Sequence, residues 1–395
     1  MIRSEWPQLQ EAICPGCGAG RRLGPADLGQ RTVCPGCGQA FHLLPPSTSP
    51  PTVVLLEDPD LNHLAGRLWL DLRPGQILDN DFLVRRPLGR GGLSQVLQVL
   101  DLKRNFDLAV KLPLASTLGR LPREVLINEA AAWLRPAPHP NLVACDQVRL
   151  YYDQPLIFME YIQGRDLARL TAEGRNAPPC LTSIKLLDVF IQVARGLGYA
   201  HSLGLSHLDI KPRNVLVEQD GGRALIGDYG PVSWGTEAEI AELDMGGGQS
   251  GTQETRISGT RLLGTPQYFS PETASGRLGT GGDADLWALA LTILECFLGC
   301  RPWEVGSMAG LALEQYLAGR GRPASLPPGL DDYFRQALAS NPADRIREAK
   351  GVEERLTGIY EKMNGRPYGR PEVRTTAETP EGLARRQASL KALRL

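Results

Sequence analysis

Residues 207–217 read His207-Leu208-Asp209-Ile210-Lys211-Pro212-Arg213-Asn214-Val215-Leu216-Val217. An acid, a lysine and an amide stand at positions 209, 211 and 214, and an apolar run follows. A second carboxylate, Asp228, lies just downstream in "GDYG". Before this polar set, "SIKLLDVFIQVARGLGYAHSLG" (183–204) has apolar residues at a 3.6-residue period, so an amphipathic helix is expected. After it, "DADLWALALTILECFLG" (283–299) is apolar nearly all round and is expected to be a buried helix.

Working outward, the region upstream of residue 183 changes character. "FLVRRPLG" (82–89), "SQVLQVLD" (94–101) and "LAVKLPL" (108–114) are short β-like runs. A helical stretch, "EVLINEAAAWL" (124–134), follows, and strand-like runs end in "LIFMEYI" (156–162). One large domain is therefore expected over 77–363. The Pro/Ser/Thr-rich "PPSTSPP" opens a linker over 45–76. The Arg-rich, Pro-interrupted tail over 364–395 is expected to be disordered, with a short helix in "EGLARRQASLKAL" (381–393).

The 43 basic and 44 acidic residues nearly cancel, so bulk attraction to nucleic acid or an anionic membrane is not expected. No apolar run reaches membrane-spanning length, and "MIRSEWPQLQEA" has no signal-peptide core. A cytoplasmic location without membrane association is the expectation.

The eight cysteines are unevenly placed. Cys14, Cys17, Cys34 and Cys37 form two Cys-Pro-Gly-Cys-Gly knuckles, with residues 18–33 between Cys17 and Cys34. That spacing is a zinc signature, since Zn²⁺ takes four ligands tetrahedrally and thiolates suit it. Four thiolates fill the coordination sphere, which implies a structural ion that supplies folding energy to a segment too short to fold on its own. His42 is a spare ligand that the set does not need. Residues 12–44 are thus read as a zinc ribbon. Its expected partner is a protein. Its positive charges, Arg21, Arg22 and Arg31, and its sparse aromatic surface argue against nucleic acid. Cys296 and Cys300 are assigned to one face of the buried helix, as core.

With its neighbours, the opening stretch resembles the catalytic loop of the eukaryotic-type serine/threonine protein kinases, bacterial members included. The resemblance runs from about Phe82 to Leu356 through many ordered motifs. It implies an α+β, bilobal protein-kinase fold with a β-rich N-lobe and a helical C-lobe, here preceded by the ribbon. It also implies ATP with Mg²⁺, a protein substrate carrying Ser or Thr, and roles for particular residues. "LGRGGLSQV" (88–96) corresponds to the Gly-rich loop at Gly89, Gly91 and Val96, with Ser94 replacing its third glycine. Lys111 of "AVK" would hold the α- and β-phosphates. Its acidic partner would be Glu129 in preference to Glu124, because Trp133 shares the helical face of Glu129. Met159 would guard the back pocket, Glu160 and Ile162 would offer backbone bonds to adenine, and Ala109 and Leu216 would sandwich the ring. Asp209 would orient the substrate hydroxyl, and Lys211 would neutralise the migrating phosphoryl group. Asn214 and Asp228 would hold Mg²⁺ through oxygen. Downstream, Thr265 would bond near Asp209 and Lys211, Glu272 would pair with Arg345, and Asp285 would cap the loop backbone. His207 is read as a packed structural histidine.

Leu208 departs from the family pattern, which has arginine there. In the family that arginine pairs with a phosphorylated residue of the activation segment. The chain's own segment, the 45 residues from Asp228 through Glu272, is expected to be mobile, with Ser250, Thr252, Thr255, Ser258 and Thr260 as candidate autophosphorylation sites. The sequence thus supports an active kinase freed from arginine-dependent loop control. The competing readings are a pseudokinase scaffold and a ribbon-centred nucleic-acid adaptor. Retention of Lys111, Glu129, Asp209, Asn214 and Asp228 together favours the first.

Overall fold

In a computed structural model of the chain, the residues described in full are 72–78, 81–114, 125–150, 154–171, 181–219, 222–228, 265–276, 282–319, 326–370 and 380–393; short strands and helix ends elsewhere are described by their backbone. They fall into two compact units, Met1–Ser116 and Thr117–Leu395.

The first unit opens with two antiparallel hairpins. Strand β1 (Ala12–Ile13) pairs with β2 (Gly20–Arg21), and β3 (Arg31–Val33) with β4 (Ala40–His42). Four further strands form an antiparallel meander: β5 (Ile77–Leu78), β6 (Phe82–Arg90), β7 (Ser94–Asp101) and β8 (Phe106–Pro113). The alternating apolar residues do what the pleat requires, and Phe82, Val84, Leu97, Val99, Leu108, Val110 and Leu112 are buried. The β7–β8 turn is held by Asp101, whose Oδ1 accepts from the backbone N–H groups of Lys103 and Arg104, both at 2.9 Å.

The second unit begins with helix α1 (Arg123–Leu134) and the hairpin of β9 (Cys145–Tyr151) and β10 (Gln154–Glu160). Strand β11 (Gly164–Asp166) leads into α2 (Leu167–Glu173) and α3 (Ser183–Ser202). Strands β12 (Val215–Glu218) and β13 (Ala224–Ile226) join β11 in a small sheet of order β11-β12-β13. The remaining helices are α4 (Pro271–Ala274), α5 (Gly282–Leu298), α6 (Ala309–Arg320), α7 (Leu330–Ala337), α8 (Ala349–Asn364) and α9 (Pro380–Ala392). Helix α3 starts where Thr182 Oγ1 accepts from Lys185 N at 3.3 Å, an N-cap. Its periodic residues Leu187, Phe190, Ile191, Val193, Ala194 and Leu197 meet Leu289, Leu291, Ile293 and Leu294 of α5 in one buried core. Gly196 is required in α3, because a Cβ there would come within 2.6 Å of the Asn141 carbonyl oxygen.

Two expectations change, for the tail and for Cys300, and a hairpin is added in the segment after Asp228. The tail is not structureless: α9 is formed where the local pattern placed a short helix, and before it Tyr368 and Arg370 are half-buried and bonded to the domain. The polar segment after Asp228 closes near its end into a hairpin of β14 (Thr255–Ile257) and β15 (Thr260–Leu262). Thr255 and Thr260 therefore lie on strands, whereas Ser250, Thr252 and Ser258 lie outside the described residues. Helix α5 ends at Leu298, so Cys296 is buried on it but half-buried Cys300 lies beyond its end.

Candidate active site

The opening loop is anchored from below by one carboxylate. Asp285, on the first turn of α5 and fully buried, accepts from His207 N at 2.7 Å through Oδ2 and from Leu208 N at 2.6 Å through Oδ1. His201 Nε2 lies 2.8 Å from the same Oδ2. A buried carboxylate needs such donors, and charge-assisted bonds of this length are strong. They hold Leu208 at φ +62°, a left-handed conformation that a leucine adopts at a cost of about 1–2 kcal/mol. His207 is buried as expected. Its Nδ1 accepts from Asp209 N at 3.3 Å, so Nε2 carries the proton and donates to the Gly227 carbonyl at 3.0 Å. Burial lowers its pKa against the pull of Asp285 and Asp209, and the ring stays neutral.

Above this anchor the polar side chains converge. Thr265 Oγ1 donates to Asp209 Oδ1 at 2.8 Å, and Lys211 Nζ donates to Asp209 Oδ2 at 2.5 Å and to Thr265 Oγ1 at 2.8 Å. The Asn214 amide nitrogen donates to the Asp209 carbonyl at 2.8 Å and to Oδ2 at 3.0 Å. With its nitrogen used on Asp209, Asn214 has its amide oxygen as the end suited to a cation. Gly227 N donates to the Asn214 carbonyl at 2.9 Å, so both backbone groups of Gly227 are tied to the loop. Asp228 follows at φ +60° with its side chain exposed. Leu208 and Asp228 are thus left-handed non-glycine residues on either side of the cluster, as strained backbone at a working site often is.

The first unit arranges its own residues in a row. Strand register places Gly89 opposite Val96 and Val96 opposite Lys111 across β6, β7 and β8. Ala109 is two residues before Lys111 and shares its face. Lys111 is 9% exposed and Ala109 is 7% exposed. Gly91 N bonds the Ser94 carbonyl at 2.8 Å, closing the turn between β6 and β7. A Cβ on Gly89 would meet no protein atom within 4 Å, so packing within the protein does not require glycine there.

In the second unit, Glu129 is half-buried on α1 and Trp133 is buried, while the Glu124 side chain lies outside the described residues. Met159 is buried at the end of β10. Glu160 N donates to the Ala144 carbonyl at 2.9 Å. Ile162 and Leu216 are half-buried. Arg345 grips Glu272 with both ends of its guanidinium, at 2.9 and 3.0 Å, and lies 4.5 Å over the Trp287 ring. Cys14, Cys17, Cys34 and Cys37 lie outside the described residues, as do Tyr229 and most of the activation segment. No group of His, Cys, Asp and Glu suited to a metal occurs among the described residues.

One part of the site escaped sequence reasoning. Buried Arg223 donates to Glu160 Oε1 at 2.5 Å and to Glu218 Oε1 at 2.8 Å. Burial opposes its charge, but Glu218 and Glu160 outweigh burial and hold the guanidinium above its ordinary range. Glu218 and Arg223 are close enough in sequence to suggest a pair. Nothing local points to Glu160, which is far away along the chain.

The family described as "Protein kinase domain" matches residues 82–354. Serine/threonine-protein kinase SSK22 of Saccharomyces cerevisiae is 33% identical over 220 residues, covering 55% of this chain and 16% of that protein. Serine/threonine-protein kinase PksC of Streptomyces coelicolor is 29% identical, covering 76% of this chain and 52% of that one. PknB of Mycobacterium tuberculosis is also 29% identical, covering 74% of this chain and 44% of its own. The chain thus spans about half or less of the length of these relatives. The crystal structure of the Mycobacterium tuberculosis PknI kinase domain is 24% identical, covers 71% of this chain and 96% of that chain, and shares the fold with a TM-score of 0.51. No helix among the described residues is long and apolar enough to cross a membrane. With the motif order and the anchored loop, the match over 82–354 makes this chain a member of the protein kinase domain family.

Proposed function

We propose that the chain transfers the γ-phosphoryl group of Mg-ATP to serine or threonine hydroxyls of proteins. The observation that carries this reading is the cluster of Asp209, Lys211, Thr265 and Asn214, bonded within one loop and fixed from below by Asp285. Asp209 would orient the attacking hydroxyl and take its proton. The hydroxyl oxygen bonds to phosphorus while the bond to the β,γ-bridging oxygen breaks, and ADP leaves with that electron pair. Lys211 would neutralise the charge of the moving group, and Thr265 would fix both side chains. The Asn214 amide oxygen and the exposed Asp228 carboxylate are the hard oxygen ligands that suit Mg²⁺. Held there, the ion would supply positive charge to offset that of the phosphates.

The remaining roles follow the same reading. Lys111 would hold the α- and β-phosphates with Glu129 as its acidic partner. The loop of Gly89, Gly91 and Ser94 would bring backbone N–H groups to phosphate, and the open space over Gly89 supports that close approach. Val96, Ala109 and Leu216 would enclose adenine behind Met159, with the Glu160 carbonyl and Ile162 N–H bonding its edge. Leucine at 208 would leave the loop without its phosphate-binding arginine, so control would not run through loop phosphorylation.

For residues 12–44 we propose a structural Zn²⁺ held by Cys14, Cys17, Cys34 and Cys37, on a module that binds a protein partner. Each knuckle falls in the connection of one hairpin, 14–19 between β1 and β2 and 34–39 between β3 and β4, and this supports the reading. A cytoplasmic site of action remains part of the proposal. The function is tested by Mg²⁺-dependent transfer of labelled phosphate from ATP to a generic protein substrate. Label is expected on serine and threonine and to be abolished by chelation. Label confined to tyrosine, or its absence at saturating Mg-ATP, would overturn the assignment.

A further inference from the structure

The helix formed by the tail, α9, is bound to the kinase domain by buried polar contacts. After α8, the Tyr368 hydroxyl donates to Asp188 Oδ1 at 2.9 Å, and Arg370 pairs with Asp188 and donates to the Gly222 carbonyl. Helix α9 then lies along β9. Ser389 Oγ accepts from Val148 N at 2.9 Å and donates to the Arg385 carbonyl at 2.9 Å. Arg385 Nη2 lies 2.8 Å from Asp146 Oδ1. Arg386, 7% exposed, donates to the carbonyl oxygens of Leu134 and Pro136.

Those last acceptors are informative. Leu134 ends α1, and the final carbonyls of a helix have no partner within it. The Arg386 guanidinium satisfies one of them, that of Leu134, bonds Pro136 just beyond the helix, and complements the helix dipole. Helix α1 is therefore capped by a residue from the far end of the chain, and β9, an edge strand, has its Val148 N–H satisfied by the same tail helix. Helix α1 also carries Glu129, the proposed partner of Lys111. A buried arginine serving only as a surface coat has no physical reason to reach the end of that helix.

We propose that Arg386 is a positioning residue and α9 an intramolecular strap: the tail helix holds α1, and with it Glu129, in the place phosphotransfer needs. The proposal rests on the kinase reading for its effect on rate, but the mechanical coupling of α9 to α1 does not. Leu208 makes such a strap useful, because control through a phosphorylated loop has lost its usual receptor.

The experiment compares the full chain with Arg386→Ala, Arg386→Lys, Arg385→Glu and the charge swap Arg385→Glu/Asp146→Arg. Amide hydrogen exchange over 123–134 and over the core helix 282–298 is read beside kcat and KM for Mg-ATP. Arg386→Ala and Arg385→Glu are expected to speed exchange in α1 but not in 282–298 and to lower kcat about tenfold with a smaller change in KM, and Arg386→Lys and the swap to recover much of the loss. If the wild-type chain transfers no phosphate yet exchange follows this pattern, the strap stands and the kinase reading fails. Exchange and kcat unchanged in both single variants would overturn the strap. So would faster exchange spread equally over 282–298 with no recovery in the swap, since that is general destabilisation.

Discussion

Asp285 is where local strain is converted into site geometry. Its two oxygens fix consecutive N–H groups beside a leucine at φ +62°. Replacing it by asparagine leaves one oxygen, and Asp285→Asn should lower unfolding stability by about 1–3 kcal/mol in urea titration. A loss within error would mean the loop holds its shape without that anchor. Histidine burial sets the acid response. Burial and then Arg195 lower the His139 pKa to about 4, and its Nδ1 accepts from Asn141 N at 3.1 Å, a bond that protonation would break. His207 is likewise held neutral. Below about pH 6.5 the unfolded chain therefore binds more protons than the folded one, so stability falls with pH, for His139 across the window from 6.5 to about 4. Glu272 adds to the loss at lower pH, since Arg345 outweighs burial and depresses its pKa. His139→Gln should flatten the dependence of the thermal midpoint on pH between 6.5 and 4, and an unchanged slope would remove His139 from the account. The residues of this loop were legible because Asp209, Lys211 and Asn214 keep fixed offsets in one stretch. The pairing of Arg223 with Glu160 was not, because it is set by how β13 and β10 approach, which no local pattern encodes.

At the scale of elements, periodicity was informative where a helix buries one side. The α3 pattern placed its start within the first turn of the observed helix, and the all-apolar run of α5 correctly implied a core position. Leu294→Ala on α5, where Leu294 is fully buried, should cost about 2–5 kcal/mol in the same titration, whereas a cost below 1 kcal/mol would mean the site collapses around the gap. The tail misled for a physical reason. Its composition is polar and Arg-rich, which alone cannot pay for ordering. Order comes instead from acceptors elsewhere in the chain, including the end of α1 and Asp146. For the ribbon, the sequence showed four thiols at metal spacing, and the hairpins show only where the chain turns back. Elemental analysis should find one zinc per chain, and Cys14→Ser should release it. Finding no zinc in the wild-type chain would remove the module.

For the whole molecule, the motif order from Gly89 to Arg345 made the family legible before any fold was in view, and the match over 82–354 agrees. On the proposed reading, Leu208 leaves the loop without the arginine that would receive a loop phosphate. Treatment with a broad phosphatase should therefore leave the rate within about twofold, because no charge-assisted pair at that position orders the loop. A strong loss traced to phosphate in residues 250–260 would contradict this. The central claim is that Asp209 and its bonded neighbours carry out phosphotransfer. It is tested most directly by the Mg²⁺-dependent rate of phosphate transfer from ATP for the wild-type chain against Asp209→Asn, with folding checked in parallel. A fall of about 10²–10⁴-fold is expected in the folded variant, and a variant as active as the wild type would contradict the claim.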